Sequence, residues 1–98
     1  MKKIYCRQGD LIFLRTDEIA VGQESIKLEI ERGESTGHVH LLLCEVGSKV
    51  KGDKTHFTLT GKARLVHEEH NPIEFEVGNY LVLRKTEWDY IEKELTQI

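Results

Sequence analysis

Apolar and polar residues alternate along several short segments of the chain, a pattern typical of strands with one buried face. The clearest case is 25–32, where Ile26, Leu28 and Ile30 fall on one face and charged residues on the other. The segment 10–15 contains a continuous apolar run, which is typical of a strand buried on both faces. Further strands are predicted at 38–46, 54–60, 62–68 and 80–90.

Glycine-containing turns separate these segments. Short strands with regular turns are typical of a β-sandwich or a β-barrel. The segment 47–53 is predicted to turn the chain back as a hairpin, 77–79 is predicted as a turn, and Asn71-Pro72 is predicted to end the strand before it. We therefore predict an all-β fold, a small single-domain barrel or sandwich, with one β-barrel domain spanning residues 1–98.

The end of the chain allows a second interpretation. Instead of a long last strand, a short C-terminal helix is the alternative, with Thr86 as its cap. Apolar residues recur there at helical spacing, which favours this alternative: Trp88, Ile91, Leu95 and Ile98.

Composition limits the class of function. The chain has 98 residues, of which 39% are hydrophobic, and this is enough for one core. Its net charge of -3 argues against nucleic-acid binding, and no segment has the roughly 20 apolar residues of a membrane helix. We therefore expect neither a nucleic-acid nor a membrane partner. With only Cys6 and Cys44, free thiols and a cytoplasmic location are predicted, and a single disulfide is the alternative.

Histidines provide the strongest functional lead, because four of the five form two close pairs. On a strand, His38 and His40 point to the same face and can approach one ion together. The second pair is His67 and His70. His67 shares a face with Ala63 and Leu65 and is predicted to point inward, whereas His70 lies where the strand is predicted to end.

Together the pairs predict a metal site. Imidazoles with a carboxylate from Glu45, Glu68 or Glu69 would suit zinc, iron, nickel, copper or manganese, that is, a divalent transition metal. The alternative is that these histidines are ordinary core and turn residues. Cys44 shares the face of His40, but a lone cysteine there is more typical of the core.

Part of this pattern resembles the first motif of the cupin superfamily, small β-barrels that hold a metal. The matching residues are Gly33, His38, His40, Glu45 and Gly52, with the leading glycine one residue too close. In cupins the two histidines and the glutamate are ligands, and a further histidine comes from a second motif. His67 or His70 stands in its place here, without the proline and glycine that precede it in cupins. The resemblance implies a metal-binding barrel with His38, His40 and Glu45 as ligands.

A second resemblance covers more of the chain. The segments 7–10, 36–40, 67–73 and 78–90 are similar to those of a group of small microbial and phage proteins, which pair Thr-Gly-His-x-His with His-Glu-Glu-His-x-Pro. It implies a shared fold and a single site containing both histidine pairs, but no reaction.

Two function classes follow from these patterns. The first is a small metal-binding β-barrel, with or without enzymatic activity on a small-molecule substrate. In an enzyme, Glu68 or Glu69 would be the candidate general base. The alternative is a metal-free binding or assembly module that forms a homo-oligomer or binds a partner through aromatic and apolar residues near the end, namely Tyr80, Trp88, Tyr90 and Ile91.

Overall fold

A computed structural model describes residues 3–32 and 39–88 of the chain. Within these ranges lie ten strands and, at 85–88, one helical turn. The strands are β1 (Lys3–Gln8), β2 (Leu11–Thr16), β3 (Glu24–Ser25), β4 (Lys27–Arg32), β5 (Val39–Cys44), β6 (Val50–Gly52), β7 (His56–Leu59), β8 (Ala63–His67), β9 (His70–Phe75) and β10 (Gly78–Arg84).

The strands form two antiparallel sheets. Sheet A has six strands in the order β1-β2-β10-β7-β6-β3, and sheet B has four in the order β4-β5-β8-β9. The all-β, single-domain prediction is confirmed, and of the two architectures considered, two facing sheets correspond to the sandwich. The short C-terminal helix that was the alternative to a long last strand is present as the turn at 85–88.

The two sheets bury their apolar faces against each other. Sheet B contributes every second residue of its central strands, so that Leu42 of β5 and Leu65 of β8 are fully buried. Phe75 of β9 inserts between aromatic rings of sheet A, with ring centroids 5.0 Å from those of Tyr5, Phe13 and Tyr80. Aromatic pairs at this separation add to the free energy of burial, so Phe75 is a principal link between the sheets.

Most of the predicted strands are confirmed, but β1, β6 and β9 were not predicted. β1 precedes the first predicted segment, and β9 runs through Asn71-Pro72, which was predicted to break the chain. Proline is tolerated there because β9 is an edge strand of sheet B. A proline nitrogen on its open side removes no hydrogen bond between strands. The strand before β9 does end where predicted, at His67, but Asn71-Pro72 lies inside the next strand and does not interrupt it.

The connection after β5 also differs from the prediction. The segment 47–53 was predicted as a hairpin, but it carries the chain from sheet B to sheet A, where β6 pairs with β7 and β3. Gly78 was predicted in a turn and instead begins β10. Ile26 was predicted to be buried with Leu28 and Ile30, but it lies between β3 and β4 with 61% of its surface exposed.

The last strand is shorter than predicted. β10 ends at Arg84, and the helical turn follows immediately. Glu87 Oε1 accepts a hydrogen bond from the Arg84 backbone N–H at 3.3 Å, as the third residue of a helix does for its cap. Thr86 therefore lies inside the turn and is not its cap. Tyr90, Ile91, Leu95 and Ile98 lie outside the described residues.

Replacing Gly52 with alanine is expected to destabilise the fold by about 3 kcal/mol, because strain and overpacking add. Gly52 has a φ of 121°, and an added Cβ would meet the His56 carbonyl oxygen and approach Ala20 Cβ to 2.9 Å. Gly47→Ala is the matched control, since Gly47 has a φ of 89° with open space around it and carries only the strain of about 1 kcal/mol. Urea unfolding measures both variants, and equal losses would contradict the packing argument.

Candidate functional site

Three histidines gather at one end of the sandwich. His40 is near the start of β5, whereas His67 and His70 flank the tight turn between β8 and β9. The parity of the strands brings them together, because His40 shares its face with the buried Leu42, and His67 follows the buried Ala63 and Leu65. The predicted inward direction of His67 agrees with this arrangement.

The His40 ring is stacked with those of His67 and His70, which are tilted by 37° to each other. Ring centroids are 4.2 Å apart for His40 and His67, 4.7 Å for His67 and His70, and 6.1 Å for His40 and His70. His40 is buried, His67 is half-buried and His70 is exposed. We call these three residues the histidine cluster.

The turn between β1 and β2 closes over this cluster from sheet A. Gln8 is buried, and its Oε1 lies 2.8 Å from Nδ1 of His40. The Gln8 amide nitrogen also donates to the carbonyl oxygens of Asn71 and Leu65, at 3.0 and 3.3 Å. One side chain from sheet A thus bonds to all three histidine-bearing strands of sheet B, β5, β8 and β9.

Gly9 allows the close approach of the turn to the rings. It has a φ of 60°, and a Cβ built there would lie 2.9 Å from Nε2 of His70 and 3.4 Å from Cε1 of His40. Sequence reasoning assigned no role to Gln8, Gly9 or Asp10. These residues directly precede an apolar strand in the sequence. Their role could be recognised only once β1, which was not predicted, was known.

The electrostatics of the cluster favour a neutral His40. The pKa of His40 is lowered from its ordinary 6.5 to about 4, first by burial and then by the nearby His67 and His70. The carboxylate of Asp10 acts in the opposite direction and is too weak to restore the pKa. His40 is therefore uncharged at neutral pH, the form in which imidazole serves as a ligand.

The predicted carboxylates differ in their distance from the histidine cluster. Glu68 and Glu69 form the exposed turn between His67 and His70, and the backbone N–H of Glu69 donates to Nδ1 of His67 at 3.1 Å. Glu45 lies beyond the far end of β5, about 16 Å along the strand from His40. There its N–H donates to the carbonyl of Lys62, which precedes β8. The structure thus brings Glu68 and Glu69 to the cluster and does not bring Glu45 to it.

Two further candidates lie elsewhere. His38 falls outside the described residues. Cys44 shares the inward face of β5 but is at its opposite end, packed against the core, and burial raises its pKa. Cys6 is also packed against the core, and burial raises its pKa to about 12. Both cysteines are free thiols.

The three rings are close together but are not arranged around one point. Within 3–32 and 39–88, no group of three or more histidine, cysteine, aspartate or glutamate side chains is arranged to hold a metal ion. His70 is exposed and His67 is half-buried, whereas His40 is held by burial and by its hydrogen bond with Gln8.

An apolar groove borders the cluster on the outer face of sheet B. It is lined by Val39, Leu41 and Val66, and it ends at His67 and Glu68. Strand pairing explains the groove, because Leu41 is directly opposite Val66 on the face that points away from the core.

The fold and the site define a small all-β sandwich domain with three clustered histidines at one end. The chain belongs to the family described as a domain of unknown function, DUF8820, whose model matches residues 7–85. The matched segment includes Gln8 and the whole histidine cluster. A search of curated proteins and a search of solved structures each gave no match. No helix in the described ranges is long and apolar enough to cross a membrane.

Acidification is expected to destabilise the protein through His40. The unfolded chain takes up this proton near pH 6.5, whereas the folded protein resists it until about pH 4. The unfolded state therefore binds more protons between these values, and stability is lost as the pH falls through this window, by on the order of 2 kcal/mol.

Urea unfolding at several pH values measures this effect. The slope of stability against pH should be smaller in His40→Asn than in the wild type. His56→Asn is the control, because His56 lies outside the cluster and binds the Glu18 carbonyl through Nε2. An unchanged slope in His40→Asn would contradict the assignment to His40.

Proposed function

We propose that this protein binds a divalent transition metal through the histidine cluster, with His40, His67 and His70 as ligands. The observation that carries the proposal is the meeting of three imidazoles from two segments of the chain within 4.2–6.1 Å of one another. Three imidazoles this close would repel one another when protonated, and this would destabilise the fold in acid. The cluster is therefore better suited to binding than to stability.

The nature of the donors favours zinc, nickel, iron or manganese, with imidazole suited best to zinc and nickel. Three histidines leave a coordination position open, as in catalytic zinc sites. A bound ion would supply Lewis acidity and a water of lowered pKa. In that case Glu68 and Glu69, beside His67, are the candidate general bases for reaction of a small-molecule substrate. His38 remains a prediction from the sequence, and Glu45, which lies about 16 Å along the strand from His40, is not part of the proposed ligand set.

Untagged protein is expected to bind one equivalent of zinc or nickel in a calorimetric titration. His67→Ala and His70→Ala should each weaken binding at least about tenfold, because each removes one ligand. Binding should also raise the unfolding free energy by about 2.7 kcal/mol when free metal is at 100 times the dissociation constant.

His56→Ala is the matched control, because it removes an imidazole that lies outside the histidine cluster. It should bind metal like the wild type. If zinc, nickel, iron and manganese all fail to bind to the wild type, or if His56→Ala weakens binding as much as His70→Ala, the cluster is not the metal site.

A second candidate function is self-association through the outer face of sheet B. Tyr80 does not support it as predicted, because its side chain is fully buried in the core. The supporting observation is instead the apolar stripe formed by Val39, Leu41, Leu43 and Val66, of which Leu43 is 38% exposed. Charges of both signs flank the stripe, with Arg64 and Glu74 paired at 3.6 Å on one side. When two copies of the chain pack through this face, charges on the rim of one copy can pair with opposite charges on the rim of the other.

Sedimentation velocity over a range of protein concentrations tests this candidate. We expect a dimer whose dissociation constant rises at least about tenfold in Leu43→Lys, because a charge is then buried in an apolar interface. Ile19→Lys is the control, since Ile19 is 67% exposed and lies outside both sheets. A wild type that stays monomeric at every concentration would exclude the interface.

A further inference from the structure

Gln8 occupies an unusual position for an uncharged polar side chain. It is the last residue of β1, only 3% of its surface is exposed, and it lies where sheet A meets the strands that bear the histidines. A buried amide is costly unless its donors and acceptor are satisfied. Here its nitrogen has two carbonyl partners and its oxygen has His40.

The two carbonyl partners fix the orientation of the Gln8 amide. A carbonyl oxygen can only accept, so the group that faces Leu65 O and Asn71 O must be the NH2 group. The reverse orientation would place three oxygens against one another. The Gln8 oxygen therefore faces His40, and it too can only accept.

We propose that Gln8 is a positioning residue that holds His40 in the tautomer with its proton on Nδ1 and so presents the bare Nε2 as the donor atom of the histidine cluster. The hydrogen bond at 2.8 Å requires a proton on Nδ1. In a neutral ring the other nitrogen then carries the lone pair. The inference rests on the proposed metal site for its purpose, but the tautomer is a property of the protein without metal.

His67 has the opposite hydrogen-bonding arrangement. Its Nδ1 accepts from the Glu69 backbone N–H at 3.1 Å, so the neutral ring carries its proton on Nε2. His67 must break this bond or move its proton before it can coordinate an ion through Nε2. His40 is consequently the one ring of this pair that is ready to coordinate through Nε2, and the Gln8 bond is the reason.

Nitrogen-15 chemical shifts of the imidazole rings, measured on metal-free protein at neutral pH, test the tautomer. We expect His40 to show a protonated Nδ1 and a bare Nε2. Gln8→Leu should abolish this preference, because leucine has no oxygen to accept the Nδ1 proton. Gln23→Leu is the control, since Gln23 is exposed and outside the site.

The same variants are then titrated with zinc. Gln8→Leu is expected to bind zinc about 10- to 100-fold more weakly, as is typical when the partner of a ligating histidine is lost. If Gln8→Leu does not fold, the tautomer of His40 in the wild type still tests the inference.

The outcomes separate this inference from the metal site itself. A His40 ring with its proton on Nε2 in the wild type, or a tautomer unchanged in Gln8→Leu, overturns the positioning role whether or not zinc binds. A tautomer that depends on Gln8, with zinc affinity that does not, overturns it as well. A wild type that binds no metal overturns the proposed function and leaves the tautomer result standing.

Discussion

The fold depends on the insertion of Phe75 from sheet B among the aromatic rings of sheet A. Its ring lies 5.0 Å from three of them and 6.2 Å from Phe57. Phe75 is the last residue of β9, an edge strand that is otherwise exposed or half-buried. A strand with so little buried surface depends for its position on the one residue that is fully buried. Because β9 pairs with β8 through a tight turn, the same contact also fixes where the two histidines of that turn can lie.

The aromatic contact and the Gln8 amide are complementary constraints on one hairpin. Phe75 anchors the far end of β9 in the core, and Gln8 holds the near end through the carbonyl of Asn71. The first contact is non-directional and stabilising, whereas the second is directional and adds little net free energy. Packing therefore sets the position of the β8–β9 hairpin in the sandwich, and hydrogen bonding sets the orientation of the His40 ring.

Sequence patterns predicted the all-β class, most of the strands and the shared face of His67 with Ala63 and Leu65. They could not predict β9, because a proline counts against a strand until its place at the edge of the sheet is known. They also placed Glu45 with the histidines, although five residues of extended strand separate it from His40. The roles of Gln8 and Gly9 escaped prediction because they depend on contacts between the two sheets, which no local pattern encodes.

The fold uses the Gln8 amide through its bonds to the Leu65 and Asn71 carbonyls, and neither of these bonds involves His40. Removing one partner of a buried hydrogen bond is costly, so His40 cannot be replaced without leaving the Gln8 oxygen unpaired. Keeping His40 brings a loss of stability in acid, because its pKa is lowered to about 4. The fold therefore carries a cost at this end that packing alone does not explain. The Gln8 bond orients this uncharged imidazole, and that is the form of the side chain that the proposed metal site would use.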